Sequence, residues 1–337
     1  MSISFEIIEQ AVQLWVSEWL PAFFNPQKRI FWGYLLSSLV IAFLWLRLVK
    51  KTSIRSSAKQ IFDRQVWISK SAWADYKVML INTMLMMMLS PRLLAKATVA
   101  YLFFDSMHVL FDGRPYISTD LPQWTIAFSF TLSLFLLDDF ARYWLHRWLH
   151  KVPILWSFHK VHHTATVLNP FTVFRTHPIE ALLFSMRSAL VQGVTTALFF
   201  FFLGDQVTLM MVLGASIFTF AFNLLGSNLR HSPVSIRYWN PLECILMSPA
   251  QHHIHHSTAK EHIDKNFGVA LSFWDWIFGS LYLSKAEDQL IFGLNGEQSP
   301  EHHSLKGLYL APFHQAWVVL LRLFSRLTFS IYPKQSA

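Results

Sequence analysis

Apolar runs long enough to cross a bilayer alternate with short polar segments along this chain. Residues 30–49 form about twenty nearly unbroken apolar positions, matching a hydrocarbon core at a rise of about 1.5 Å per residue. Trp32, Tyr34 and Trp45 suit the ends of such a span. Residues 78–104 are a second run, broken by Ser90-Pro91-Arg92 and Lys96, so they read as one kinked span or a re-entrant pair of half-helices. Gly113, Pro115 and Pro122 mark residues 105–123 as a connecting loop, and residues 124–137 then open a helix that ends in charged, histidine-bearing turns. Residues 181–203 and 207–225 form a hairpin of spans around Gly204-Asp205-Gln206. At the two ends, residues 5–24, with Glu6, Glu9 and Glu18, and residues 311–332, with Arg322 and Arg326, carry helical spacing broken by charge. Each reads as a helix in the membrane interface or packed on the protein, and the acids of the first argue against a cleaved leader. The pattern predicts an all-α, polytopic membrane protein with about five transmembrane helices.

Composition agrees. Of 337 residues 53% are hydrophobic and 14% charged, against roughly 25% charged in an ordinary soluble domain. The net charge of +8 comes from basic residues beside the apolar runs rather than on one polar face, which favours anionic lipid headgroups and not nucleic acid. Residues 50–77 hold Lys50, Lys51, Arg55, Lys59, Arg64, Lys70 and Lys77 against Asp63 and Asp75, whereas Lys28 and Arg29 alone precede the first span. The positive-inside rule puts 50–77 in the cytoplasm, and counting crossings puts 138–180 and 226 onward there too. The single cysteine, Cys244, excludes an internal disulfide framework.

Sixteen histidines are present, and eleven fall between positions 146 and 256. His146 and His150 are four apart; His159, His162 and His163, and again His252, His255 and His256, fall at i, i+3, i+4. Those offsets share a helix face, so three separate helices offer converging imidazoles. Eight cationic imidazoles gathered together would repel, whereas neutral imidazole is a common ligand for iron, zinc and copper. One ion cannot use eight nitrogens; a pair can, with positions left open. A solvated patch at a helix C-terminus explains an isolated pair such as His302 and His303, but not three clusters returning to one membrane face. Asp139 lies two turns before His146 and is placed to hold a ligand imidazole through its other nitrogen, or, like Asp138, to pair with Arg142.

The boxes HRWLH, HKVHH and HHIHH, with FRTHPIE, GSNLRHS, SPAQHHIHHS and KNFGVALSFWDWIFGSLY, resemble the fatty acid hydroxylase and sterol desaturase superfamily, integral-membrane non-haem di-iron oxidases. The resemblance covers roughly residues 125–285. It implies that His146, His150, His159, His162, His163, His252, His255 and His256 are metal ligands and that His231 is a ninth, with Asn228 as an alternative acting through water. His177 is either a further ligand or a supporting residue beside Glu180. His253 lies off the 252/256 face and is expected to cap or meet solvent. Asp275, in the aromatic-Asp-aromatic element, is expected to support a ligand.

The chemistry implied is oxidation of a lipid C–H bond by two iron ions, with dioxygen as co-substrate, giving hydroxylation or desaturation. No nucleotide-binding glycine motif, iron–sulfur cysteine set or fused haem domain is evident, so electrons come from a separate ferredoxin- or cytochrome-like carrier with its reductase. Phe171, Phe174, Phe218, Phe220 and Phe222 are candidates for a lipid channel, although core or lipid contact explains them equally simply. The expected organisation is an N-terminal interfacial segment (1–29), a transmembrane region with a basic loop (30–124), the di-iron domain (125–285), whose box helices form a cytoplasmic cap, and an amphipathic tail (286–337). The membrane is the inner or plasma membrane in a bacterium, or the endoplasmic reticulum in a eukaryote. The rivals are a zinc hydrolase, which wants an H-E-x-x-H motif, and a metal transporter, which wants polar residues at mid-bilayer.

Overall fold

The computed structural model describes residues 21–89, 96–113, 120–208, 217–294 and 299–331, with single positions at 9, 13, 17, 117 and 211. Among them there is no strand; the one extended pairing is an isolated bridge between Leu246 and Leu271. The all-helical expectation is therefore met. Three helices are long and apolar enough to cross a membrane by length and composition: Trp32–Val49, Gln123–Lys151 and Pro178–Gln206. Of the other two expected spans, the Ser90-Pro91-Arg92 break and most of 207–216 lie outside the described residues, as does most of the N-terminal helix expected at 5–24.

The helices are named in chain order: α1 (Trp32–Leu44), prolonged by a π-turn over Trp45–Val49; α2 (Ile54–Ile61); α3 (Lys70–Leu89); α4 (Lys96–Leu110); α5 (Gln123–Lys151); α6 (Pro153–His163); α7 (Pro178–Leu203); α8 (Ile217–Leu224); α9 (Pro249–His256); α10 (Phe273–Ile277); and α11 (Ala311–Ile331). α7 is the centre of the bundle, with α4 along one side and α5 along another. α4 approaches closely because Gly193 faces it: a Cβ there would stand 2.7 Å from Val99 Cβ. Phe130 of α5 meets Phe199 of α7 edge-on at 5.1 Å. Where α5 passes from apolar to polar, Asp138 accepts from Arg142 one turn on and from Arg187 of α7, each at 2.7 Å. The Asp138–Arg142 pairing expected from spacing is thus present.

α1 and its flanks bury one narrow stripe, Ile30, Tyr34, Ser38, Ala42 and Leu46 at steps of four, and leave the other positions partly or fully exposed. The stripe packs on α2, α8 and the loop around His231 rather than into a helical core: Ala42, Leu46, Ile61, Leu229, Val234 and Ile236 form one apolar cluster.

The histidine-bearing segments are tied to α3 by a fully buried ion pair. Arg175 Nη1 donates to Asp75 Oδ1 at 3.0 Å. The other carboxylate oxygen of Asp75 accepts from Thr172 and Asn169, and Arg175 Nε donates to Val161 O and Thr164 Oγ1 at the end of α6. Removing one member of such a pair strands a charge without solvent. Arg175→Ala is expected to cost about 3–5 kcal/mol of stability, and Asp75→Asn with Arg175→Met together less than Arg175→Ala alone, as read from thermal melts in detergent.

Candidate metal centre

Nine imidazoles converge between α5, α6, α9 and the turn after α8. They form two sets: His146, His150, His159, His163 and His255; and His162, His231, His252 and His256. Within each set, one nitrogen per ring lies within 4.8 Å of all the others. His150 is partly exposed and the other eight are buried. The sets adjoin, with the His163 and His256 rings stacked at 4.6 Å across the boundary.

Helical geometry explains the sorting. Residues four apart nearly superimpose along the axis, whereas adjacent residues diverge by about 100°. Each paired box therefore sends its i, i+4 members to one set and its i+3 member to the other. His159 and His163 go to the first set and His162 to the second, while His252 and His256 go to the second and His255 to the first. The three positions of a box thus do not fall in a single set but divide between two.

Hydrogen bonding orients the lone pairs. His146 Nδ1–H donates to Phe267 O at 2.7 Å, His255 Nδ1–H to Lys265 O at 2.9 Å, and His159 Nδ1–H to Glu180 Oε1 at 2.9 Å. A carbonyl can only accept, so His146 and His255 carry the Nδ1 proton and turn an unprotonated Nε2 inward. His255 Nε2 and His163 Nε2 are buried with no partner. His231 Nε2 lies 3.2, 3.1 and 3.0 Å from the Nε2 atoms of His162, His256 and His252. A ring nitrogen has one proton or one lone pair, so hydrogen bonding satisfies at most one of three such neighbours. A shared cation satisfies all of them, because imidazole–metal bonds of about 2.1 Å set ligand nitrogens about 3 Å apart. The residues present therefore fit a bound metal. Burial, then the field of His146, lowers the His162 pKa to about 3, and burial lowers His255 to about 4 against its bond to Lys265 O, so these rings are neutral and able to ligate.

The carboxylates named from sequence act one step further out than expected. Asp139 does not touch an imidazole; it accepts from the Ala270 and Leu271 amides and from Trp274 Nε1. Asp275, at the start of α10, accepts from the Phe267 and Gly268 amides and from Ser280 Oγ. Burial raises its pKa to about 6 against those bonds. The two carboxylates thus fix the 267–271 turn whose Phe267 carbonyl holds His146. The carboxylate that does reach a ring is Glu180, in the first turn of α7, missed as a site residue although it stands in the FRTHPIE motif.

His177 stands outside both sets. Its Nδ1 accepts from the Ile179 amide as the N-cap of α7, and its Nε2–H donates to Tyr309 O at 3.1 Å, which leaves no lone pair for an ion. His253 is buried rather than solvated, and burial lowers its pKa to about 4 against the nearby Leu229 and Arg230 backbone. α9 has only eight residues and is held by a capping box between Ser248 and Gln251 and by Glu243, which accepts from Ser248 Oγ at 2.7 Å.

Residues 131–280, less than half the chain, match the fatty acid hydroxylase family. Over that segment the chain is similar to a fatty acid hydroxylase domain. All nine clustered histidines, Asp139, Glu180 and Asp275 lie inside this segment. Among known proteins, the chain is 30% identical over 198 residues to an alkylglycerol monooxygenase of Danio rerio, covering 58% of this chain and 37% of that protein. The human alkylglycerol monooxygenase matches at 30% over 196 residues, covering 57% and 39%. An ornithine lipid hydroxylase of Rhizobium tropici matches at 30% over 175 residues, covering 52% and 48%. The chain thus spans less than half the length of these relatives. No solved structure matches it.

Two outcomes follow from the geometry of the matched segment. Glu180→Gln keeps the shape but replaces the carboxyl group behind His159, and is expected to weaken metal retention about 10–100-fold in chelator competition. The lowered pKa values of His162, His253 and His255 mean that, without metal, the folded chain refuses protons the unfolded chain accepts below about 6.5. The contribution of these three histidines to the stability of the metal-free protein is therefore full above about pH 7 and is lost as pH falls toward 4, outweighing the single opposing contribution of Asp275. The protein's melting temperature after chelator treatment is expected to be lower at pH 5.5 than at pH 7.5.

Proposed function

We propose that this protein is a membrane-bound di-iron oxidase that hydroxylates or desaturates a C–H bond of a lipid. Its ligands are His146, His150, His159, His163 and His255 for one ion and His162, His231, His252 and His256 for the other. The observation that carries the reading is the crowding of three imidazole nitrogens around His231 Nε2 at 3.0–3.2 Å, which a cation relieves and hydrogen bonds do not. The likeness to a fatty acid hydroxylase domain and the relatives named for lipid hydroxylation support lipid as the substrate class. Bound iron would supply dioxygen chemistry that, with two electrons and two protons, inserts one oxygen atom into a C–H bond or removes two hydrogens, releasing water.

The chain's own residues orient and insulate that chemistry. His146, His159 and His255 are held in one tautomer, Asp139 and Asp275 position the turn behind His146, and Trp156 covers His150 and His163 with ring centres at 5.0 and 5.5 Å. Electrons come from a separate ferredoxin- or cytochrome-like carrier. In the membrane we read α4 and the segment containing α8 as the fourth and fifth crossings beside the three long helices. The basic 50–77 segment and the metal centre then face the cytoplasm, in the plasma or inner membrane of a bacterium or the endoplasmic reticulum of a eukaryote.

Purified in detergent, the protein is expected to hold two irons per chain and to consume a lipid only when dioxygen and a reductant are present. His162→Ala and His255→Ala should each abolish product and release metal. A single zinc, or turnover independent of dioxygen, would overturn the reading.

A further inference from the structure

A cavity of about 300 Å³ lies between α1 and the loops of the metal centre, within the size range of small-molecule sites. Leu35, Leu39 and Ala42 of α1 form one wall, and Phe171, Leu229 and Val234 the facing one. Asn228, Leu229 and Ser232 flank His231 in the chain, so one wall of the cavity belongs to the turn that carries a clustered imidazole.

No charged side chain lines this space, and its polar side chains are satisfied with one exception. Asn228 exchanges hydrogen bonds with Arg29, Ser232 Oγ bonds the Val234 backbone, and Trp67 Nε1 donates to Ile61 O. Ser38 Oγ is buried, with the residue 4% exposed, and has no partner. A buried hydroxyl without a partner is unfavourable; rotation about the Ser38 Cα–Cβ bond would turn Oγ into the cavity, where a ligand oxygen would supply the missing bond.

We propose that this cavity binds the hydrocarbon chain of an uncharged lipid, and that Ser38 is a specificity-determining residue that hydrogen-bonds a neutral oxygen on that chain: an ether, an ester or a hydroxyl. Calling the occupant the substrate rests on the oxidase reading; the binding itself does not. α1 lies outside the matched segment at 131–280, so this wall of the cavity is not part of the stretch that carries the family likeness. The uncharged lining excludes a carboxylate or a zwitterionic headgroup from the interior.

The test is retention of 1-O-hexadecylglycerol, monopalmitoylglycerol, hexadecanol, hexadecane and palmitate by the full-length protein in detergent, read by native mass spectrometry. Ser38→Ala is expected to lower affinity for at least one oxygen-bearing neutral probe about two- to tenfold, leaving hexadecane unchanged; the probe that responds identifies the oxygen. Ser38→Thr should retain the affinity, and Ala42→Phe should lower it for every neutral probe. Ser38→Ala should also raise the melting temperature without lipid, which separates lost binding from lost folding. Unchanged retention in Ser38→Ala or Ala42→Phe, palmitate held as tightly as the neutral probes, or a tightly bound phospholipid that none of them displaces would overturn the proposal. Binding as expected without dioxygen-dependent product would overturn the oxidase reading and leave this one standing.

Discussion

Nine neutral imidazoles packed together in a water-poor space are the constraint that the rest of this structure answers to. Burial keeps the protons off, lowering the His162 pKa to about 3, and the bonds at Nδ1 turn lone pairs toward one another. Like-oriented lone pairs repel, and among the described residues hydrogen bonds cannot satisfy all of those around His231 Nε2. The arrangement is therefore unfavourable for the protein alone and favourable around cations, and its supporting network can be understood as the means of holding rings where they would not otherwise stay.

That network works at one remove. Asp139 and Asp275 come from helices far apart in the chain and grip backbone amides of a single turn, and the turn presents one carbonyl to His146. An amide turn is stiffer than a carboxylate side chain, so the ring inherits a narrower range of orientations. Glu243 does similar work for α9, too short to persist by itself. The buried Asp75–Arg175 pair ties the end of α6 to α3, extending the restraint beyond the matched domain.

The histidine boxes, the all-helical character and the long apolar helices were legible in the sequence because each is a local, periodic signal. The division of a box between two sets was not, although it follows from the same helical angle: spacing says which rings share a face, not how many clusters that face feeds. His177 and Glu180 were misweighted for a related reason. Both stand in FRTHPIE, and which of them serves the metal centre depends on where α7 begins and on Tyr309, more than a hundred residues away. The contact between α1 and the loop around His231 was equally invisible, since a uniformly apolar helix does not announce which stripe it buries.

The interleaving of the boxes has a thermodynamic consequence. α6 and α9 each contribute rings to both sets, so an ion bound in one set would restrain a helix that also supplies the other, and two ions would load as a coupled pair.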